Sequence, residues 1–152
     1  MKLERRGFTL IELAIVIVLV GILATIAMPR LTQASAALTV RSAKQEVAAL
    51  MAVARSTAIE TGRPAWFIRS GNTVSVAVQP NGVGALTTTT ATDLDAEHGI
   101  TVHASFDTVR FDPRGIADVN DGKVSIVVSK AAASDSVCIL GLGRIAIKDC
   151  SL

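Results

Sequence analysis

Residues Phe8 to Met28 read FTLIELAIVIVLVGILATIAM, and 17 of these 21 positions are apolar. As a helix, a run of that length spans about 31 Å, the thickness of a bilayer's hydrocarbon core. A charged leader, Met1-Lys-Leu-Glu-Arg-Arg-Gly7, precedes it. Such cations stay on the cytoplasmic side, so the chain beyond Met28 is expected to face outward. From Pro29 to Leu152, 57 of 124 residues are apolar, which is ordinary for a globular domain. One membrane segment and one modest domain therefore account for all 152 residues. Fibrous, low-complexity, polytopic and multidomain-enzyme readings are excluded. Five aromatics (Phe8, Trp66, Phe67, Phe106, Phe111) leave a core of Val, Ile, Leu and Ala.

The net charge of +2 comes from the leader, because 12 basic and 12 acidic residues balance from Phe8 onward. Bulk charge thus gives no argument for nucleic-acid binding. A conventional signal-peptide cut near Ala27 is one alternative for the amino terminus, and an uncleaved anchor is another. The run's continuation into a helical pattern beyond Met28 argues against the cut, and Glu12 argues against the plain anchor. A carboxylate within an apolar span costs a few kcal/mol and normally has a partner. Cleavage between Gly7 and Phe8 creates an α-amino group one helical turn from Glu12, and a neighbouring subunit's amine can then meet that carboxylate.

Gly7-Phe-Thr-Leu-Ile-Glu12 followed by about 20 apolar residues resembles the class III signal of type IV pilins and pseudopilins. The resemblance implies a prepilin peptidase that cuts after Gly7 and N-methylates Phe8. It also implies that Glu12 neutralises an adjacent subunit's Phe8 amine during filament assembly. Pro29 matches a proline position of pilins. It cannot donate to the carbonyl of Thr25, so the helix can kink or open there.

Beyond Pro29 the pattern becomes amphipathic: Val40, Ala43, Val47, Leu50, Ala54 and Ala58 form one stripe. Arg41, Lys44, Gln45, Arg55 and Thr57 are assigned to the other faces. Thr61-Gly-Arg-Pro64 ends the helix. Strands are expected at Ala65 to Arg69 and Thr73 to Gln79, joined by a Ser70-Gly-Asn72 turn. Pro80 to Asp95 reads as a polar loop. Further strands are expected at Ile100 to Ala104, Thr108 to Phe111, Val124 to Ser129, Ser136 to Leu140 and Arg144 to Lys148. The fold class is α+β: a long N-terminal helix packed on a β-rich head of about seven strands in antiparallel sheets. The divisions are a leader (1–7), a transmembrane segment (8–28), an amphipathic helix (29–61) and a head (62–152). Ala54-Arg-Ser-Thr-Ala-Ile-Glu-Thr-Gly-Arg-Pro64, Phe111-Asp-Pro-Arg-Gly115 and Gly143-Arg144 resemble the GspH/FimT branch of pilin-like proteins.

Cys138 and Cys150 lie in the half expected outside the cytoplasm, where a disulfide is allowed. A three-residue loop at Gly141 to Gly143 sets Cys138 opposite Ala146, so bridging requires the tail after Lys148 to fold back. The alternative is one buried and one exposed thiol. His98 and His103 point to opposite faces of a strand, which leaves them as surface or loop histidines. No metal site, no cofactor and no enzymatic constellation is expected. Some minor pilins of the FimT type bind DNA through a terminal Gly-Arg-x-Arg motif. Here Arg144 is present, Ala146 replaces the second arginine, and Lys148 follows. The reading is a minor pseudopilin of a type II secretion system, anchored in the inner membrane with a periplasmic head. Its partners are the peptidase and other pseudopilins or pilins. The alternative is a FimT-like minor pilin that contacts DNA through Arg144 and Lys148.

Overall fold

The computed structural model describes residues 8–80, 84–119 and 122–147. Helix α1 covers Leu10–Thr61, 52 residues, and the chain divides into two compact units after Ser35. In the first unit every residue from Phe8 to Ser35 is solvent-exposed, large apolar side chains included. By length and composition the helix can cross a membrane; its most apolar 18-residue window has a mean hydropathy of 2.8. The helix continues through Pro29. Thr25 and Thr32 turn their hydroxyls onto the carbonyls of Ile22 and Pro29 at 2.7 and 3.0 Å. This back-bonding satisfies the hydroxyls locally in an apolar setting.

In the second unit the stripe predicted for α1 is buried: Val40, Ala43, Val47, Leu50, Ala54 and Ala58, with Met51 beside them. Gly62 follows at φ 63°, a left-handed stop that glycine adopts without strain, and Pro64 bars continuation. Nine strands follow among the described residues. They are β1 (Ala65–Ser70), β2 (Thr73–Val78), β3 (Thr87–Asp93), β4 (Thr101–Ala104), β5 (Thr108–Phe111), β6 (Ala117–Asp118), β7 (Lys123–Lys130), β8 (Ala133–Leu140) and β9 (Ile145–Ala146). They form two sheets, ordered β3-β2-β1-β5-β6 and β4-β7-β8-β9, with antiparallel pairing throughout. Phe67, Val74, Val76, Val109 and Phe111 of the first sheet join Val102, Ile126, Val128, Val137 and Ile139 of the second. Together with the helix stripe they make one apolar cluster. The alternation of strand side chains puts one face of each sheet into it.

The polar loop expected over Pro80 to Asp95 is instead largely ordered secondary structure. Thr87 to Thr90 are β-branched and pair with β2 as an edge strand, with Val76 opposite Thr90. Polarity marked them as a loop, yet an exposed edge strand has no apolar face to show. Leu94–His98 forms a short helix, α2. Asp93 caps it, accepting from Asp95 N–H at 3.0 Å and Ala96 N–H at 3.1 Å. Gly99, at φ 61°, closes its other end. Leu94 anchors it in the core, but a single turn is too short for periodicity to reveal. The last strand is also shorter than expected: β9 holds Ile145 and Ala146, Ile147 is exposed, and Lys148 lies outside the described residues.

Lys44, assigned from sequence to an outer face of α1, is buried and pairs with Asp135 of β8. A carboxylate from a distant strand removes the penalty that a lone buried ammonium would carry. Burial pushes the Asp135 carboxyl up. The Lys44 hydrogen bond, the Ser136 N–H and the charges of Lys44 and Arg41 outweigh it, leaving the group below its usual 3.8. A carboxyl depressed in the folded state adds stability that is complete above about pH 4 and lost as pH falls through the folded value. Asp135→Asn is expected to lower stability at pH 7 by about 1 kcal/mol, allowing for solvent screening at a partly open carboxylate. The variant should also lose less stability than the wild type between about pH 5 and pH 2. Urea midpoints of the detergent-solubilised chain across that range check both expectations.

Candidate functional site

The described chain begins at Phe8, which is exposed, while Gly7 lies outside it. The Glu12 backbone N–H donates to the Thr9 hydroxyl at 3.2 Å. Thr9 thereby caps the start of α1, and Glu12 stands three residues on, the spacing of a capping box. An acidic side chain in the first turn also meets the positive end of the helix dipole. The Thr-x-x-Glu spacing is itself a helix-start signal in the sequence.

The three head segments singled out by resemblance meet in one place. Asp112-Pro-Arg-Gly115 forms the β5–β6 turn, with Pro113 supplying the fixed φ of the second turn position. The Gly115 N–H donates to the Asp112 carbonyl at 2.8 Å. The Asp112 carboxylate accepts from the N–H groups of Arg114 and Ile116, each at 2.9 Å, and from the Arg114 guanidinium. The Ile116 N–H chiefly, then the bonds and charge of Arg114, hold that carboxyl below its usual range against the opposing effect of burial. The Gly115 carbonyl in turn accepts from Arg55 Nε of α1 at 3.1 Å. Gly143, in the β8–β9 turn, lies against the same carbonyl. A Cβ at position 143 would fall on the Gly115 oxygen, and φ there is +73°. One carbonyl thus joins the helix end, a turn of one sheet and a turn of the other.

The β8–β9 turn has the register expected from its three-residue loop: Cys138 pairs with Ala146, and the Leu140 N–H donates to the Arg144 carbonyl at 3.0 Å. Cys138 is buried. Cys150, like Lys148, lies outside the described residues. Arg144 is exposed beside Gly143. Arg114 is bound by Asp112, and Arg110 lies opposite Asp118 in the β5–β6 ladder.

His103 is exposed on β4, whereas His98 ends helix α2, so the two do not lie on opposite faces of one strand as expected. His98 is no isolated surface histidine, however. Its Nε2 lies 3.0 Å from a carboxylate oxygen of Glu46 on α1 and 4.0 Å from one of the adjacent Glu97. A separation of 52 residues between Glu46 and His98 leaves no local spacing signal in the sequence.

Comparison with known proteins follows the same division between helix and head. The family model described as Type II transport protein GspH matches residues 43–143, and the Prokaryotic N-terminal methylation motif matches residues 3–28. Two fimbrial proteins of Pseudomonas aeruginosa are each 46% identical over 56 residues. That match covers 37% of this chain and 36% of each relative, so the chain spans about a third of their length. Crystal structures of the type IV minor pilin FimU of P. aeruginosa share the fold. One superposes with a TM-score of 0.59 at 20% identity, over 74% of this chain and 90% of FimU. A second crystal form gives 0.56 at 21% identity, over 73% and 94%.

The crowding at the shared carbonyl gives a direct test. Gly143→Ala must move backbone and adopt a strained φ, which is expected to cost about 2–4 kcal/mol. Gly115, at φ +77°, is strained by alanine too, but an added Cβ there meets only the side chains of Ile59, at 2.7 Å, and Arg55, at 3.0 Å, so Gly115→Ala is expected to cost less. Urea unfolding of both variants in detergent ranks them, and equal stability of the Gly143 variant and wild type would contradict the packing.

Proposed function

The chain belongs to the GspH family of type II transport proteins, and on that premise we propose that it is a minor pseudopilin of a type II secretion system. The carrying observation is the family match over the head, residues 43–143, joined to the methylation motif over residues 3–28. The exposed apolar surface from Phe8 to Met28 supports a helix that lies first in the inner membrane and then among the helices of a filament. The protein is a structural subunit, and its head faces the periplasm.

In this reading prepilin peptidase cuts between Gly7 and Phe8 and methylates the new amine. Glu12, already placed by the Thr9 cap, receives the amine of an adjacent subunit. The pairing matters because neither charge is compensated in the hydrocarbon core alone. Intact-mass measurement of the membrane-extracted protein should show loss of Met1 to Gly7 and gain of one methyl group. Glu12→Ala is expected to leave membrane insertion and head stability nearly unchanged while reducing filament incorporation on the order of tenfold or more. Normal incorporation would remove the glutamate from the assembly step.

The fimbrial relatives and the FimU-like fold support a second reading, a minor pilin of a type IV pilus. Arg144 and Lys148 are then the candidate DNA contacts. Two cations, with Ala146 in the second arginine position, supply little phosphate affinity at physiological salt. A chromosomal deletion separates the readings. Loss of exoprotein secretion with normal surface pili supports the pseudopilin, whereas loss of pili with normal secretion overturns it in favour of the pilus.

A further inference from the structure

Two carboxylates converge on a single ring nitrogen. His98 Nε2 stands 3.0 Å from Glu46 and 4.0 Å from Glu97, and the three donor atoms all lie within 4.8 Å of one another. An imidazole N–H can serve one acceptor well, so the ion pair with Glu46 accounts for one carboxylate, while Glu97, at 4.0 Å, stands close to the ring without a hydrogen bond to it. Successive residues on a helix point about 100° apart, yet Glu97 and His98 turn their polar ends to the same point. Two carboxylates with oxygens within 4.8 Å of one another favour a cation beside them, and a metal ion held by all three donors supplies it with a neutral imidazole.

We propose that Glu46, Glu97 and His98 form a binding site for a divalent transition-metal ion of the zinc class. The donor set selects that class: one imidazole nitrogen with two carboxylate oxygens suits zinc and its neighbours, whereas calcium requires six to eight oxygens. The spacing fits as well. Tetrahedral zinc with bonds of about 2.0–2.1 Å holds its ligand atoms about 3.3 Å apart, so shifts of about an ångström complete the set. Two carboxylates and a neutral imidazole balance the charge of the ion. The site is partly open, with side-chain exposures of 30, 57 and 28% for Glu46, Glu97 and His98, which provides a route of entry. His98 is also held in place. The Lys130 ammonium donates to its backbone carbonyl, and Gly99 closes the helix by donating to Asp95 O at 2.7 Å. Three protein ligands leave a fourth position for water or a donor from another molecule. The ion would tie α2 to α1 and add to the stability of the head.

The test uses the full chain in detergent with Zn²⁺ alone as the probe, read by competition with a chromophoric chelator and by thermal shift. One ion per chain is expected, with a raised Tm. His98→Ala and Glu97→Gln should each weaken binding on the order of tenfold to a hundredfold and abolish the Tm rise, while His103→Ala changes neither. Glu97→Gln keeps side-chain volume at an exposed position, so its result stands even where the histidine variant folds poorly. Absence of stoichiometric zinc, or zinc bound equally well by the Glu97→Gln variant, would overturn the site.

Discussion

The head depends on one apolar stripe. Val47, Met51, Ala54 and Ala58 are fully buried on α1, and the inner faces of both sheets belong to the same cluster. Neither sheet is closed, so each has one face that must be covered and edges that must be tolerated. Covering those faces is a hydrophobic requirement, met by area rather than by specific contacts. The specific contacts sit around the stripe: Lys44 with Asp135, Glu46 with His98, and Arg55 with Gly115. All three join a polar side chain of α1 to a residue far along the chain, and they fix where the turns and the short helix lie.

This division explains what could be read from the sequence. The stripe obeys a period of 3.6 and most strands obey a period of 2, so the helix and the sheet core were legible. The hairpin at Gly71 and the register of Cys138 opposite Ala146 were also legible, because loop length fixes them. The segment from Thr87 to His98 was not. Its strand is polar on both faces and its helix is one turn long, so neither gives a periodic signal. The polar partners of α1 were hidden for another reason. Lys44 looks like a solvated cation until Asp135, 91 residues away, arrives beside it.

Glu12 carries two requirements at once. As the third residue after the Thr9 cap it belongs to the start of the helix, and as a carboxylate in an apolar run it needs a counter-charge. These demands do not conflict. The cap fixes the backbone at the position where the carboxylate begins, which limits the region a second charge has to reach. The Thr9 cap therefore fixes the backbone from which the group in the proposed assembly contact extends.

The carbonyl shared by Arg55, Gly115 and Gly143 has a mechanical meaning. Apolar packing strongly resists pulling a helix off a sheet, but it is weakly directional and resists sliding along the axis much less. A hydrogen bond loses strength steeply once its angle and length change, so it opposes that sliding. Tension or torque on the last turns of α1 would pass through Arg55 into the Gly115 turn. The bare Gly143 backbone behind that turn would take it up in turn. Load on the end of the helix would thus reach both sheets through this backbone oxygen, beside the direct tie that Lys44 makes to β8 through Asp135.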